Sequence, residues 1–532
     1  MRTARPSPPM RRGRRFAGLL LAGALVLAAC GDDDDDRADG TVPSQSTAAT
    51  PDTTQGTGEP SDTPGASPDD PAVTVSAILE PTSLDIVSVA GAALDQVLLD
   101  NVYETLLTLT EDGEIEPGLA EQYEVSDDGR VYTFTLREGP TFHSGEPLTA
   151  DDVVWSLEAQ RAEGANESER LASIESVEAA DERTVVVTLS QPDNDLLYLL
   201  TRRAGAVLQA EATNLQNTAN GTGPFILEDW NVGSSITLVR NDDYWGEPPA
   251  ISGVTFQYFT DQNAMVNALT TGDVDIVTGI DSDLIVPLQG DPDYVVNEGT
   301  TNGEFTLGFN NAREPFTDPA VRKAIRQAID KEAYRELNNG FGTIIGGPVP
   351  PTDPWYEDLT DVAPYDPDAA RAALEQAGYG DGLELTLTWP NLYAIRNAEF
   401  VASQLAEVGI TLDIEPVEFS VWLEQVYTNH DYDMTAVLHV EPRDIGNYAN
   451  PDYYWQYDSP RVQELIQAAK VNPDPEESIE QRRKAARIIA EESPADWLIL
   501  AADLTVARRG VTGYPLNDTG SRFDASGIRV ER

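Results

Sequence analysis

NVYETLLTLTEDGEIEPGLAEQYEVSDDGRVYTFTLREGPTFHSGEPLTADDVVWSL, residues 101–157, is the stretch that decides the fold. Its opening sets Val102, Leu106 and Leu107 at helical spacing, an apolar helical turn, and Asp112-Gly113 marks the bend after it. Tyr123 to Val125 and Val131 to Leu136 are extended runs joined by Asp127-Asp128-Gly129. That junction signals a hairpin, because glycine tolerates the positive φ that tight turns need. Tyr132, Phe134 and Leu136 alternate with Val131, Thr133 and Thr135, which is the period of a half-buried strand. Thr149 then stands three residues before Asp152 at the head of Val153, Val154 and Leu157, a capping-box pattern that opens a helix.

The motifs N-V-Y-E-x-L-L, P-G-L-A-E, V-S-D-D-G, Y-T-F-x-L-R, F-H-x-G and L-T-A-x-D-V-V-x-S-L, in this order, resemble the extracellular solute-binding proteins of family 5, the dipeptide and oligopeptide receptors of ABC importers. Tyr123 stands where Trp is usual in that family, and Ser144 where Asp is common. Glu80-Pro81-Thr82-Ser83-Leu84-Asp85, Gly221-Thr222-Gly223-Pro224-Phe225 and Arg240-Asn241-Asp242-Asp243-Tyr244-Trp245 extend the resemblance, which runs from about Val73 to the C-terminus. It implies an α/β fold of the two-lobed periplasmic-binding-protein type II, in the large class with an extra subdomain. By analogy one lobe takes residues 72–305 and 495–532, with an inserted subdomain at 95–185, and the other takes 306–494. The residues agree with an α/β reading, since strand and helix patterns alternate from Val254 onward, with Asp318-Pro319 and Asp366-Pro367 each opening a helix.

The N-terminus reads as a secretory signal over residues 1–29: Arg11, Arg12, Arg14 and Arg15 precede an apolar run from Phe16 to Leu27 that is too short for a stable bilayer span. Leu27-Ala28-Ala29-Cys30 resembles a lipobox, so lipidation is expected at Cys30, the single cysteine of the chain. Residues 30–71 mix an aspartate run with Ser, Thr, Pro and Gly, a composition that cannot offset the entropy of ordering, and they read as a flexible tether. The expected location is the outer face of the cell membrane, reached through a lipid anchor.

Formal charge is −56, from 91 acidic against 35 basic residues. Such a chain lacks the basic footprint that nucleic acid requires. With three histidines and one cysteine, neither a free-metal site nor a cofactor is expected. Gly-x-Ser-x-Gly and His-Glu-x-x-His motifs are missing, which argues against an enzyme. Gly221 to Gly223 is no phosphate loop, because Gly-Lys-Ser/Thr does not follow it.

The stretch His439-Val440-Glu441-Pro442-Arg443-Asp444-Ile445-Gly446-Asn447-Tyr448 follows the apolar strand pattern of Met434 to Leu438. Ligands of α/β folds gather at loops leaving the carboxyl ends of strands. Arg443 offers a bidentate fork for a carboxylate. The resemblance places in this loop a Trp and an Asp that takes a peptide's α-ammonium; the usual Gly-Trp is missing here, and Glu441 or Asp444 stands in for the carboxylate. His439, Asn447 and Tyr448 complete the loop, and Trp389 and Tyr393 are aromatic candidates for the cleft, against which stands ordinary core packing. The expected partners are a peptide or similar small solute and ABC permease subunits, with the protein acting as a monomer. A non-peptide solute such as an oligosaccharide, opine or metal complex is the alternative, and a surface hydrolase or sensor a more distant one.

Overall fold

The computed structural model describes residues 70–531, with positions 78, 90, 111 and 112 excepted. The expected signal, Cys30 and the tether as far as residue 69 lie outside the described residues. Ten strands form one mixed sheet: β1 (Ala72–Ala77), β2 (Phe225–Asn231), β3 (Ser235–Arg240), β4 (Gly253–Tyr258), β5 (Ile276–Val277), β6 (Tyr294–Phe309), β7 (Leu383–Pro390), β8 (Ile410–Val417), β9 (Met434–His439) and β10 (Ala495–Arg508). Their spatial order is β8-β7-β9-β6-β10-β5-β1-β4-β3-β2.

Two of the hydrophobic cores packed on the sheet are fed by different strands. Val73, Val75, Ile236, Leu238 and Phe256 pack together on one side, and Leu307, Phe309, Leu385, Leu387 and Met434 on the other. Strand β10 contributes to both, through Ala507 to one and Leu498 and Ile499 to the other, and pairs antiparallel with β6 from Tyr294 opposite Arg508 to Gly308 opposite Ala495. Their register breaks between Thr300 and Glu304. At the break Thr301 Oγ1 donates to the Ala501 carbonyl at 2.7 Å and accepts from the Gly303 amide at 2.8 Å, restoring the partners the ladder loses there.

A separate antiparallel sheet runs in the order Ala120–Val125, Val131–Leu136, Thr184–Leu189 and Ile174–Asp181. Tyr132, Phe134 and Leu136 face inward beneath Val153 and Leu157 of helix Ala150–Gln160, as the alternation requires. Gly129 adopts φ 66° in the connecting turn. The capping box forms, with the Thr149 amide donating to Asp152 Oδ2 at 2.9 Å. Asp318 and Asp366 cap helices Pro319–Ala328 and Pro367–Gln376 through the amides of Ala320 and Ala369.

Residues 101–106 do not form the expected helical turn. Asn101 is buried and tied across the chain, donating to the Phe523 carbonyl at 2.7 Å and accepting from the Ala525 amide at 3.0 Å. The helix lies upstream at Ala92–Leu98, while Leu107–Leu109 pairs with Ile115–Pro117 as a hairpin turned at Gly113, φ 82°. Tertiary hydrogen bonds override local spacing here.

Candidate ligand-binding site

Strand β9 ends at His439, directly opposite Glu304 of β6, next to the register break between the lobes. The chain then turns sharply: Arg443 adopts φ 59°, left-handed geometry uncommon for a residue with a side chain. Residues Asp444–Ala449 follow as a short 3₁₀ segment that buries Ile445 and Tyr448. The turn aims the Arg443 guanidinium across the cleft. Its central carbon sits 3.6 Å from the ring centroid of Tyr198 and 5.0 Å from that of Trp355, while Nε lies 3.7 Å from Asp353 Oδ1.

Behind the loop, aromatic packing fixes its shape. Tyr448 stacks on Trp455 with centroids 4.2 Å apart, and its hydroxyl accepts the Trp497 indole N–H at 3.0 Å. His439 Nε2 lies 2.9 Å from the Tyr454 hydroxyl, and Nδ1 is 3.5 Å from Asp444 Oδ2.

Carboxylates crowd this region. Glu304 is 3% exposed with no base within ion-pair distance among the described residues; burial first, then Asp444 and Asp353, hold its carboxyl well above the usual range. Burial pushes Asp353 up to about 7, although Arg443 pulls the other way. Four buried polar atoms have no hydrogen-bond partner in the protein: Thr352 Oγ1, Trp355 Nε1, Arg443 Nε and Asp444 Oδ2. Buried polar groups are nearly always satisfied, so four together mark a place where something else supplies the bonds.

A cavity of about 310 Å³ opens beside Arg443 and Asp444. Asp195, Tyr198 and Arg202 line it from one side, and Glu441, Arg443, Asp444, Asn447 and Arg482 from the other. The two walls touch. Asn194 Nδ2 donates to the carbonyls of Ala469 at 2.8 Å and Asn472 at 2.6 Å, and its amide to that of Lys470 at 3.0 Å. Arg482 pairs with Asp195 at 2.7 Å and lies over Trp355 at 4.5 Å.

Of the residues expected from sequence, Arg443, Glu441, Asp444 and Asn447 line the cavity, while His439 and Tyr448 stand behind it as packing. Trp389 and Tyr393 are elsewhere. Trp389 is fully buried in the core, its ring against Phe305 and its N–H donated to the Tyr393 carbonyl at 3.1 Å. The Tyr393 hydroxyl accepts the Leu438 amide at 3.1 Å. Trp389 packs among Phe305, Leu387 and Met434, so its side chain meets core rather than cleft. Sequence reading missed Tyr198, Arg202, Glu304, Asp353, Trp355 and Arg482; Pro350 to Trp355, a proline-rich loop carrying an Asp and a Trp, was the one visible signal. Among the described residues no cluster of His, Cys, Asp and Glu is placed to hold a metal, and no helix is long and apolar enough to cross a membrane.

Comparison with known proteins agrees with this architecture. The chain is 28% identical over 468 residues to the di/tripeptide-binding protein 2 of Pseudomonas aeruginosa, covering 78% of this chain and 86% of that protein. It is 28% identical over 471 residues to the glutathione-binding protein GsiB of Salmonella typhi, covering 83% and 91%. The periplasmic binding protein DppA of Helicobacter pylori, solved with the peptide STSA, superposes with a TM-score of 0.70 at 26% identity over 87% of this chain and 98% of that one. Residues 114–461, more than half the chain, match the family described as bacterial extracellular solute-binding proteins, family 5 Middle. The chain therefore belongs to the family 5 bacterial extracellular solute-binding proteins.

Proposed function

We propose that this protein is the receptor of an ABC importer for short peptides, binding them in the cavity between Tyr198 and the loop 441–447 and catalysing nothing. The observation that carries this is Arg443 Nε and Asp444 Oδ2, a guanidinium and a carboxylate without hydrogen-bond partners in the wall of this cavity, with Thr352 Oγ1 and Trp355 Nε1 also unsatisfied on the loop that packs against Arg443. A peptide offers a matching set: an ammonium for a carboxylate, a carboxylate for a guanidinium, and amides for the rest. Asp444 takes the ammonium and Arg443 the carboxylate. The peptide-binding relatives named above support the solute class.

The lobes are residues 72–305 with 495–532, carrying the inserted subdomain 95–185, and residues 306–494. Closure brings Asn194 onto the carbonyls at 469–472, and a bound solute stabilises that state only through contacts it makes to both walls. Cys30 carries a lipid that holds the protein at the outer membrane face as a monomer, within reach of the permease. Native mass spectrometry of the purified protein tests the solute class: a retained mass of two to a few amino-acid residues is expected, and a retained sugar or metal complex would overturn it. Cys30→Ala should move the protein from the membrane to the soluble fraction; continued membrane association would overturn the anchor.

A further inference from the structure

Basic residues are scarce in this chain, yet Arg170, Arg202, Arg443, Lys470 and Arg482 all line the one cavity, against Asp193, Asp195, Glu441 and Asp444. Pairing explains most of them. Arg482 is bound to Asp195 at 2.7 Å, Arg170 lies 3.6 Å from Glu167, and the charge of Lys470 acts on Asp193.

Arg202 stands apart. No carboxylate among the described residues lies within ion-pair distance of it, and its Nη1 donates to the Thr519 carbonyl at 3.1 Å. Gly520 admits it there, since a Cβ at that position would meet Nη1 at 2.8 Å. The nearest charges include Arg522 and Arg170, which repel it; Asp95 attracts it but is itself bound to Arg203 at 2.7 Å, and Asp518 acts from farther off. Its guanidinium carbon is 5.9 Å from the centroid of Tyr198, the same ring that Arg443 covers at 3.6 Å. Arg202 is half-buried, and leaving a guanidinium even partly withdrawn from water without a paired carboxylate is costly. In a chain with 91 acidic side chains a partner would be easy to supply, so its absence beside a solute cavity is a property of the site.

We infer that the solute carries a second anionic group, an acidic side chain, held by Arg202 beside the Tyr198 ring that Arg443 also covers, so that the receptor selects acidic peptides. This rests on the peptide reading above. A guanidinium fork recognises a carboxylate bidentately, and both guanidinium groups lie within 6 Å of the same ring centroid.

Calorimetric titration with Ala-Glu, Ala-Gln and Ala-Lys separates the two claims. The wild-type protein should bind Ala-Glu at least about tenfold more tightly than the isosteric Ala-Gln, with Ala-Lys weakest. Arg202→Gln should bring Ala-Glu and Ala-Gln to within about twofold of each other, and Arg202→Lys, which keeps the charge, should retain the preference. Equal dissociation constants for Ala-Glu and Ala-Gln in the wild type would overturn the inference and leave the peptide reading intact. So would a preference that survives in a folded Arg202→Gln variant, folding being checked by melting temperature. If that variant does not fold, the wild-type series and Arg202→Lys decide alone. Failure of all three peptides to bind would overturn the peptide reading, and this inference with it.

Discussion

The stability of an Asp353→Asn variant relative to the wild type should rise with pH. Asp353 is 9% exposed in its side chain, and burial raises its pKa from 3.8 to about 7 in the folded state, against the pull of Arg443 at 3.7 Å. An acid whose folded pKa is raised stabilises the fold only while it is protonated. That contribution is complete below the unfolded pKa and is lost as pH rises through about 7. Above about pH 5 the unfolded chain has released this proton while the folded one still holds it, so the wild type loses about 1.4 kcal/mol per pH unit at first and less as the folded group ionises, roughly 2.3 kcal/mol by pH 7. Asn carries no such proton. The gap between Asp353→Asn and wild type should therefore widen by about 2 to 3 kcal/mol between pH 5 and pH 8 and flatten beyond. Urea unfolding of both proteins at half-unit pH steps measures it, and because only the difference is read, other titrating groups such as Glu104 and Asp503, both also raised to about 7, cancel. Parallel stability curves would refute the burial argument for Asp353.

Asn194→Ala removes two hydrogen bonds between the cavity walls at 2.8 and 2.6 Å, and should speed Ala-Glu release in stopped-flow experiments by roughly five- to thirtyfold; an unchanged rate would mean that these contacts do not hold the closed state. Thr149→Ala breaks the capping box of helix Ala150–Gln160 and should cost about 1 kcal/mol in denaturant unfolding, with a cost below ~0.3 kcal/mol counting against the cap. With a net charge of −56, the melting temperature should rise with ionic strength between about 0.01 and 1 M salt, whereas a flat or falling curve would rule out self-repulsion as a controlling term.

Local chemistry was legible in the sequence wherever a few neighbouring residues settle the backbone. The Gly129 hairpin, the Thr149-Asp152 capping box and the aspartate-proline helix starts at 318 and 366 form as their spacing requires. The long strand β6 was not legible, because Asn297, Glu298, Gly299, Asn302 and Gly303 interrupt its apolar alternation. Asn302 and Gly303 sit in the register break between Thr300 and Glu304, while Asn297, Glu298 and Gly299 stay paired with Thr505, Leu504 and Asp503. The site was half legible. Arg443 and Asp444 announce themselves by charge at the end of an apolar strand, but Tyr198, Arg202 and Asp353 come from segments remote in sequence and meet the loop only when the chain is folded. Trp389 is buried in the core, the packing that stood against the cleft reading, and nothing in its sequence neighbours tells a buried strand end from a cleft wall.

The central claim is that the solute binds beside Arg443, in the cavity between the lobes. Calorimetric titration of Ala-Glu into the wild type and into a folded Arg443→Ala variant tests it most directly. Removing one partner of a desolvated charge pair costs about 2 to 5 kcal/mol, and each 1.4 kcal/mol is about tenfold, so Ala-Glu should bind the variant at least roughly tenfold more weakly. Equal dissociation constants for the two proteins would place the binding site elsewhere and contradict the account.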